Sequence, residues 1–179
     1  MFQFALTVHK NFLECIGKIE TFSNNISFIY RPRNTTDFCR TSNSGPITVE
    51  DVFKTLPFDN EVVLIDITGK ELFQVLSRSV KGKREDEDGG FLHVSGIRFM
   101  IRGHSVENVC VEGNLTPLDL GKVYRVAVND FMASGGDGYE IFARKPAQYT
   151  GLSLREVFVD FIRKRRIVNP RVERRIVRK

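Results

Sequence analysis

Several residue types are scarce in this sequence. It contains no Trp and only three each of His, Cys and Met among 179 residues. No stretch approaches the roughly 18–20 consecutive apolar residues that a membrane-spanning helix needs. Apolar residues make up 41% of the chain and charged residues 27%, close to the averages of soluble globular proteins. These features exclude collagen-like, disordered and membrane-spanning classes, and the length is enough for one good-sized domain or two very small ones.

The scarcity of His and Cys also bears on metal chemistry. The three His residues form no cluster along the chain, and no two Cys form a CxxC pair. We therefore expect no metal site within this chain. Three cysteines leave at least one thiol unpaired in a single chain, and both one disulfide and none remain open. The cysteines are Cys15, Cys39 and Cys110.

The net charge of +5 is concentrated at the C-terminus. Residues 163–179 hold nine of the 27 basic residues and one acid, so this basic tail carries +8 and the remaining chain −3. Such a tail suits a polyanion or a nucleic acid, although two apolar pairs, Ile167-Val168 and Ile176-Val177, interrupt it. Because the body is net acidic, we expect that nucleic acid is not the partner.

Targeting signals are few. Three N-x-[S/T] sequons, at Asn25, Asn34 and Asn114, are compatible with a secreted glycoprotein. The apolar run at residues 1–8 ends at His9-Lys10 without a small-residue cleavage site, so we expect no signal peptide in this chain. The basic C-terminus also predicts no lipid-anchor signal.

Helix and strand patterns are mixed along the chain. Residues 1–37 form an atypical, partly irregular segment in which only 26–30 has a strand pattern. From residue 38 onwards the periodicity predicts α-helices and β-strands without regular βαβ alternation, which favours an α+β domain with a mixed sheet and packed helices. The predicted helices cover 49–56, with a capping box from Thr48 to Asp51, then 70–80, and one opening at Ser153; the predicted strands are 61–68, 91–94, 97–102, 106–112 and 123–128.

A glycine-rich loop directly follows the strand at 123–128. Residues 129–139 read Asn-Asp-Phe-Met-Ala-Ser-Gly-Gly-Asp-Gly-Tyr. Glycines let the backbone approach a ligand closely, and the acceptor-only carboxylate of Asp137 suits a pair of sugar hydroxyls. Phe131 would be an apolar plate beside it. On spacing alone, an ordinary turn after a strand, with Phe131 in the core, is the favoured interpretation.

Phe58 is the second candidate aromatic. It follows Pro57, which ends the first helix, and so lies in a connection rather than on a periodic helix face. It would either face a ligand or fill the end of that helix.

In this order the segments resemble one known family. The matching stretches are 45–52, Leu-Pro-Phe-Asp-Asn at 56–60, Ile-Thr-Gly-Lys-Glu-Leu at 67–72, 90–98, 124–131, Gly-Gly-Asp-Gly-Tyr at 135–139, and 169–176. Residues 38–179 thus resemble the C-terminal, substrate-binding domain of the 5′-nucleotidase/apyrase family. The resemblance implies a domain of an extracellular phosphohydrolase of nucleotide catabolism, which acts on nucleotide phosphates when joined to a metal-binding domain.

The resemblance also implies the site residues. Phe58 and Phe131 would sandwich a purine base, and Asp137 would accept the ribose hydroxyls of AMP, ADP or ATP. Stacking a base on an aromatic ring contributes about 1–3 kcal/mol. Arg40 would be the ligand-facing arginine, although residues 37–40 read Asp-Phe-Cys-Arg where the family has Asn-x-Gly-x-Ile-Arg.

Catalysis in that family relies on an N-terminal metallophosphatase domain with two divalent metals, of zinc type, that activate water. This sequence has no Asp-x-His or Gly-Asn-His motif, so no residue here is a catalytic candidate. We expect the chain to bind a nucleoside without catalysis on its own. The alternatives are an interaction or structural domain that kept the fold and lost the ligand, and polyanion binding by the basic tail.

Overall fold

The computed structural model describes residues 26–30, for the backbone only, and then 45–82, 90–111, 115–168 and 173–179. The described strands are β1 Ile26–Tyr30, β2 Glu61–Thr68, β3 His93–Ser95, β4 Ile97–Arg102, β5 Ser105–Val111, β6 Thr116–Pro117, β7 Val123–Asn129, β8 Ala147–Ser153 and β9 Ile176–Arg178. The helices are α1 Val49–Thr55, α2 Gly69–Ser79, α3 Asp130–Ala133, α4 Glu140–Ala143 and α5 Leu154–Arg165, with a 3₁₀ turn at Gly136–Gly138.

The larger sheet has the strand order β3-β1-β7-β2-β8. β1 runs parallel to β7, and the other pairs in this sheet are antiparallel. β2 and β7 pair along nearly their full length, from Val62 opposite Asn129 to Thr68 opposite Val123. The start of β2 and the end of β7 therefore lie side by side, at the sheet edge that is formed by the ends of the strands.

Apolar side chains cover both faces of β2. Val63, Ile65 and Ile67 belong to a large core with α2 and the second sheet, whereas Val62 and Leu64 belong to a smaller core with α1 and α5. Each of these five residues is at most 3% exposed. The sequence therefore has nearly continuous apolar residues here, as expected for a strand that is buried on both sides.

The second sheet has the order β6-β5-β4-β9. β4 pairs antiparallel with β5 and parallel with β9. The predicted α+β class with mixed pairing is confirmed, and the strands are divided between two sheets packed on one large core.

Part of the basic tail is built into the core. Arg175 is 1% exposed, and its Nη1 donates to the carbonyl oxygen of Val94 in β3 at 2.7 Å. Its backbone carbonyl accepts from the N–H of Phe99 in β4 at 2.9 Å, and its Nε lies 3.2 Å from Glu173 Oε2. Arg175 thus joins β3 of the larger sheet to β4 of the second sheet. The basic tail is therefore not simply a row of solvent-exposed charges.

The predicted strand at 26–30 and the helices at α1, α2 and α5 are confirmed, including the capping box of Thr48 with Asp51. β8 and β9 were not predicted. Several other predictions fall on Cys15, Cys39, Arg40, the asparagines of the three sequons and loop residues 83–89, which lie outside the described residues. In the described part of the chain, no helix is long and apolar enough to cross a membrane.

Glu71 joins the start of α2 to the segment after α4. Its carboxylate accepts from the backbone N–H of Thr68 at 2.8 Å and lies 2.6 Å from Lys145 Nζ. The hydrogen bond from Lys145, followed by those from Thr68, holds the pKa of Glu71 below its usual value. The resulting stability is complete above the unfolded-state pKa of about 4.3 and is lost as the pH falls through the lower folded-state pKa.

We expect Glu71→Gln to flatten this acid dependence. Gln keeps the capping-box acceptor but loses the charge, so the free energy of unfolding should fall by about 0.5–1 kcal/mol at pH 7. The two proteins should converge as the pH falls below about 4. Urea unfolding at several pH values measures the difference, and a constant difference down to pH 3 would contradict the role of this charge.

Candidate functional site

Two aromatic side chains lie near the ends of neighbouring strands of the larger sheet, Phe58 on the connection from α1 to β2 and Phe131 in the short helix α3 that follows β7. Phe58 precedes β2 by three residues, and Phe131 follows β7 by two residues. Because Val62 is paired with Asn129, these connections leave neighbouring strands at the same edge. Phe58 is 52% exposed and Phe131 is 41% exposed, in contrast to the buried aromatic side chains of Phe99, Phe142 and Phe161. The placement of Phe131 in the core is therefore wrong, and Phe58 faces solvent.

The connection that carries Phe58 is fixed by the start of α5. The side chain of Arg155 donates through Nε to the carbonyl oxygen of Leu56 at 2.6 Å and through Nη2 to that of Pro57. The backbone N–H of Leu154 donates to the carbonyl oxygen of Asn60 at 2.8 Å. Backbone groups on both sides of Phe58 are thus bonded to one rigid helix end, which holds the ring at the sheet edge.

A direct hydrogen bond joins the two connections. Asn60 Nδ2 donates to Asp130 Oδ1 at 2.6 Å, and the backbone N–H of Phe131 donates to the same oxygen at 2.9 Å. Asn129 caps α3 by accepting from the N–H of Met132 at 2.8 Å. The carboxylate of Asp130 therefore fixes the segment of Phe131 relative to that of Phe58.

The ring of Phe131 lies directly against the backbone of Gly136. A Cβ atom built on Gly136 would lie 2.4 Å from Cε1 and 2.5 Å from Cζ of that ring. Only glycine leaves room for this contact, so the glycine-rich loop serves to seat an aromatic ring.

Asp137 follows Gly136 in a left-handed backbone conformation, with φ 54° and ψ 23°. This conformation is uncommon for residues other than glycine, but Asp and Asn adopt it more readily than most. Asp137 is half-buried and stands between Gly136, which contacts Phe131, and Gly138, which has φ 78°. The loop thus carries an acceptor-only carboxylate one residue after the glycine that contacts an exposed aromatic ring, a combination suited to a ligand with a flat apolar part and hydroxyl groups.

The substitution Gly136→Ala tests the contact between Gly136 and the ring of Phe131. The new methyl group would displace the half-exposed ring rather than the backbone, so we expect a stability loss below about 1 kcal/mol. Because the ring would move away from Gly136, the affinity for any ligand that stacks on Phe131 should fall nearly as far as in Phe131→Ala. Gly121→Ala is the control, since the nearest atom to its Cβ would be Asp119 Oδ1 at 3.6 Å. If the Gly136→Ala and Gly121→Ala proteins bind such a ligand with equal affinity, the contact between Gly136 and Phe131 does not position the ring for binding.

Comparisons with known proteins show the family to which this fold belongs. The family model described as "5′-nucleotidase, C-terminal domain" matches residues 11–144. The chain belongs to the 5′-nucleotidase C-terminal domain family. The crystal structure of a 5′-nucleotidase precursor from Thermus thermophilus is similar with a TM-score of 0.79 and 31% identity, over 96% of this chain and 34% of that chain.

Curated members of the 5′-nucleotidase family are much longer than this chain. The trifunctional nucleotide phosphoesterase protein YfkN of Bacillus subtilis is 32% identical over 142 residues, which are 74% of this chain and 10% of the relative. Protein UshA of Escherichia coli is 33% identical over 122 residues, 68% of this chain and 22% of the relative. The chain therefore spans about a tenth to a fifth of the length of these two relatives.

The sequence predicts that Phe58, Phe131 and Asp137 belong to one site. In the structure, Phe58 and Phe131 lie at one sheet edge and Asp137 lies on the adjoining loop. Sequence reasoning missed Arg155, which holds the Phe58 connection, because 98 residues separate that side chain from Pro57. Arg40 lies outside the described residues.

The described residues of this family member offer no metal centre. No group of three or more His, Cys, Asp or Glu side chains in the described ranges could hold a metal ion. These residues therefore do not fit the two metals that the family resemblance implies, and no step of a reaction in this chain is assigned to a metal.

Proposed function

We propose that this chain is the nucleoside-binding domain of a 5′-nucleotidase-type phosphohydrolase that acts on extracellular purine nucleotides. A purine base would stack between Phe58 and Phe131, while the carboxylate of Asp137 would accept hydrogen bonds from the ribose hydroxyls. The observation that carries the proposal is the pair of exposed phenylalanines on two hydrogen-bonded connections, with Asp137 on the loop that seats Phe131. Membership of the family supports the same ligand class.

The groups at this site can bind a nucleoside, whereas activation of water needs metals that they do not hold. Aromatic stacking contributes about 1–3 kcal/mol per base and tolerates different bases, and a fixed carboxylate adds recognition of the sugar. Water activation would come from two divalent metals, of zinc type, in a metallophosphatase domain that joins this one. We therefore propose that this chain binds AMP, ADP or ATP through the nucleoside and does not hydrolyse them on its own. Arg40 is proposed as a fourth ligand contact.

Calorimetric titration of the purified chain with adenosine and with AMP tests this proposal. We expect both ligands to bind, and we expect Phe58→Ala and Phe131→Ala each to weaken binding by about tenfold, the equivalent of one lost stacking contact. Phe73→Ala is the matched control, since Phe73 is an exposed phenylalanine on α2. A phosphate-release assay with AMP should show no turnover.

Two results would contradict the proposal. A folded chain that binds neither ligand would be a structural domain that lost its ligand. Binding that weakens steeply with salt and is lost on neutralising the exposed basic residues of the tail would instead indicate a polyanion site.

A further inference from the structure

The guanidinium of Arg78 lies between two glycines from distant parts of the chain. Arg78 is in the last turn of α2. A Cβ atom built on Gly90 would lie 2.9 Å from its Nη1, and one built on Gly138 would lie 2.9 Å from its Nε. Contacts this close are possible only because neither position carries a side chain. The end of α2 therefore reaches the loop of Asp137 through this one side chain.

Tyr139 closes the same arrangement. Its ring centroid lies 5.8 Å from Arg78 Cζ, and its hydroxyl donates a hydrogen bond to the carbonyl oxygen of Gly90. Tyr139 is 2% exposed, so its ring is part of the packed core rather than a surface group. Arg78, Gly90 and Tyr139 thus hold the backbone at Gly138 from one side.

Asp137 lies between two such contacts. On one side the ring of Phe131 packs against Gly136, and on the other side Arg78 packs against Gly138. A non-glycine residue at φ 54° persists only where its surroundings hold the backbone in place. Arg78 thus makes one of the two contacts that flank the backbone of Asp137, although it lies 59 positions earlier in the sequence.

We propose that Arg78 is a positioning residue for Asp137 that makes the site selective for ribonucleosides over 2′-deoxyribonucleosides. This inference rests on the proposed function. A carboxylate held in one orientation can accept hydrogen bonds from two vicinal hydroxyls at once, and a 2′-deoxyribose offers only one of that pair. If the loop relaxes, the second hydrogen bond weakens, while stacking on the two phenylalanines is retained.

The experiment compares the affinities of adenosine and 2′-deoxyadenosine for four proteins. In the wild type we expect adenosine to bind about tenfold more tightly, the effect of one additional hydrogen bond to a charged acceptor. Arg78→Met should reduce this ratio to about twofold or less, mainly by weakening adenosine. Gly90→Ala should act in the same direction, because its methyl group would displace the guanidinium. Arg102→Met is the control, since Arg102 is exposed on β4 and paired with Glu107 at 3.1 Å.

A measurement without ligand accompanies the titration. Amide hydrogen exchange at residues 136–138 should accelerate in Arg78→Met and Gly90→Ala but not in Arg102→Met. A merely structural role of Arg78 would weaken both nucleosides equally and leave the ratio at its wild-type value, and that outcome would overturn the inference.

The two proposals fail in different ways. If the folded wild type binds neither nucleoside, the proposed function is overturned and this selectivity with it. If adenosine binds normally but the ratio is unchanged in Arg78→Met, only the role of Arg78 is overturned.

Discussion

Replacing Asp137 by Ala should lower the affinity of the chain for adenosine by about a hundredfold or more, because two hydrogen bonds to the ribose would be lost. Hydrogen bonds to a charged group contribute about 1.5–3 kcal/mol each, and this substitution removes the acceptor entirely. Ala also tolerates the left-handed backbone less well than Asp, at a cost to folding stability of about 1 kcal/mol. Titration calorimetry measures the first effect and thermal unfolding the second.

Asp137→Asn separates the two effects. Asn adopts the left-handed conformation readily, so the stability of this variant should match that of the wild type. Its amide keeps one neutral acceptor, and we expect an affinity between those of Asp and Ala. If Asp137→Ala binds adenosine as tightly as the wild type, the carboxylate does not contact the sugar.

Arg175→Ala should lower the free energy of unfolding by about 3 kcal/mol or more. The substitution removes the hydrogen bond to the Val94 carbonyl oxygen and the ion pair with Glu173. It also opens a cavity where a fully buried side chain had been. Guanidinium unfolding followed by circular dichroism provides the measurement.

Arg178→Ala is the matched control for the tail. Arg178 is exposed in β9 close to Arg175 in sequence, and surface substitutions of this kind usually change the free energy of unfolding by less than about 0.5 kcal/mol. Similar losses in the two variants would contradict the structural role of Arg175. The contrast also shows why the formal charge of the tail overstates the charge that a polyanion could reach.

Local features of the sequence were sufficient for much of the fold. Thr48 and Asp51 predict the start of α1 because a capping box is a local pattern, and the apolar periodicity of α2 and α5 is equally local. The division into two sheets was not predictable in this way. The consecutive strands β3 and β4 belong to different sheets, and the three residues of β9 pair with β4 across more than 70 positions and carry no strand pattern of their own.

The candidate site shows the same limit. Phe58, Phe131 and Asp137 stand out because a proline, a strand end and a cluster of glycines mark their surroundings in the sequence. Arg78 and Arg155 carry no such mark. Each acts through a contact with a distant segment, Gly138 in one case and Pro57 in the other, and only the folded chain brings these pairs together.

The most direct test of the nucleoside site uses Phe58→Trp. The chain contains no Trp, so this variant has a single indole at the proposed stacking position. Adenosine should quench its fluorescence in a saturable way, with a midpoint equal to the calorimetric dissociation constant, and ribose 5-phosphate should not. Adding Phe131→Ala should shift the midpoint to higher concentration. An emission spectrum that stays unchanged while calorimetry shows saturation would place the base elsewhere and contradict the stacking of nucleosides at Phe58.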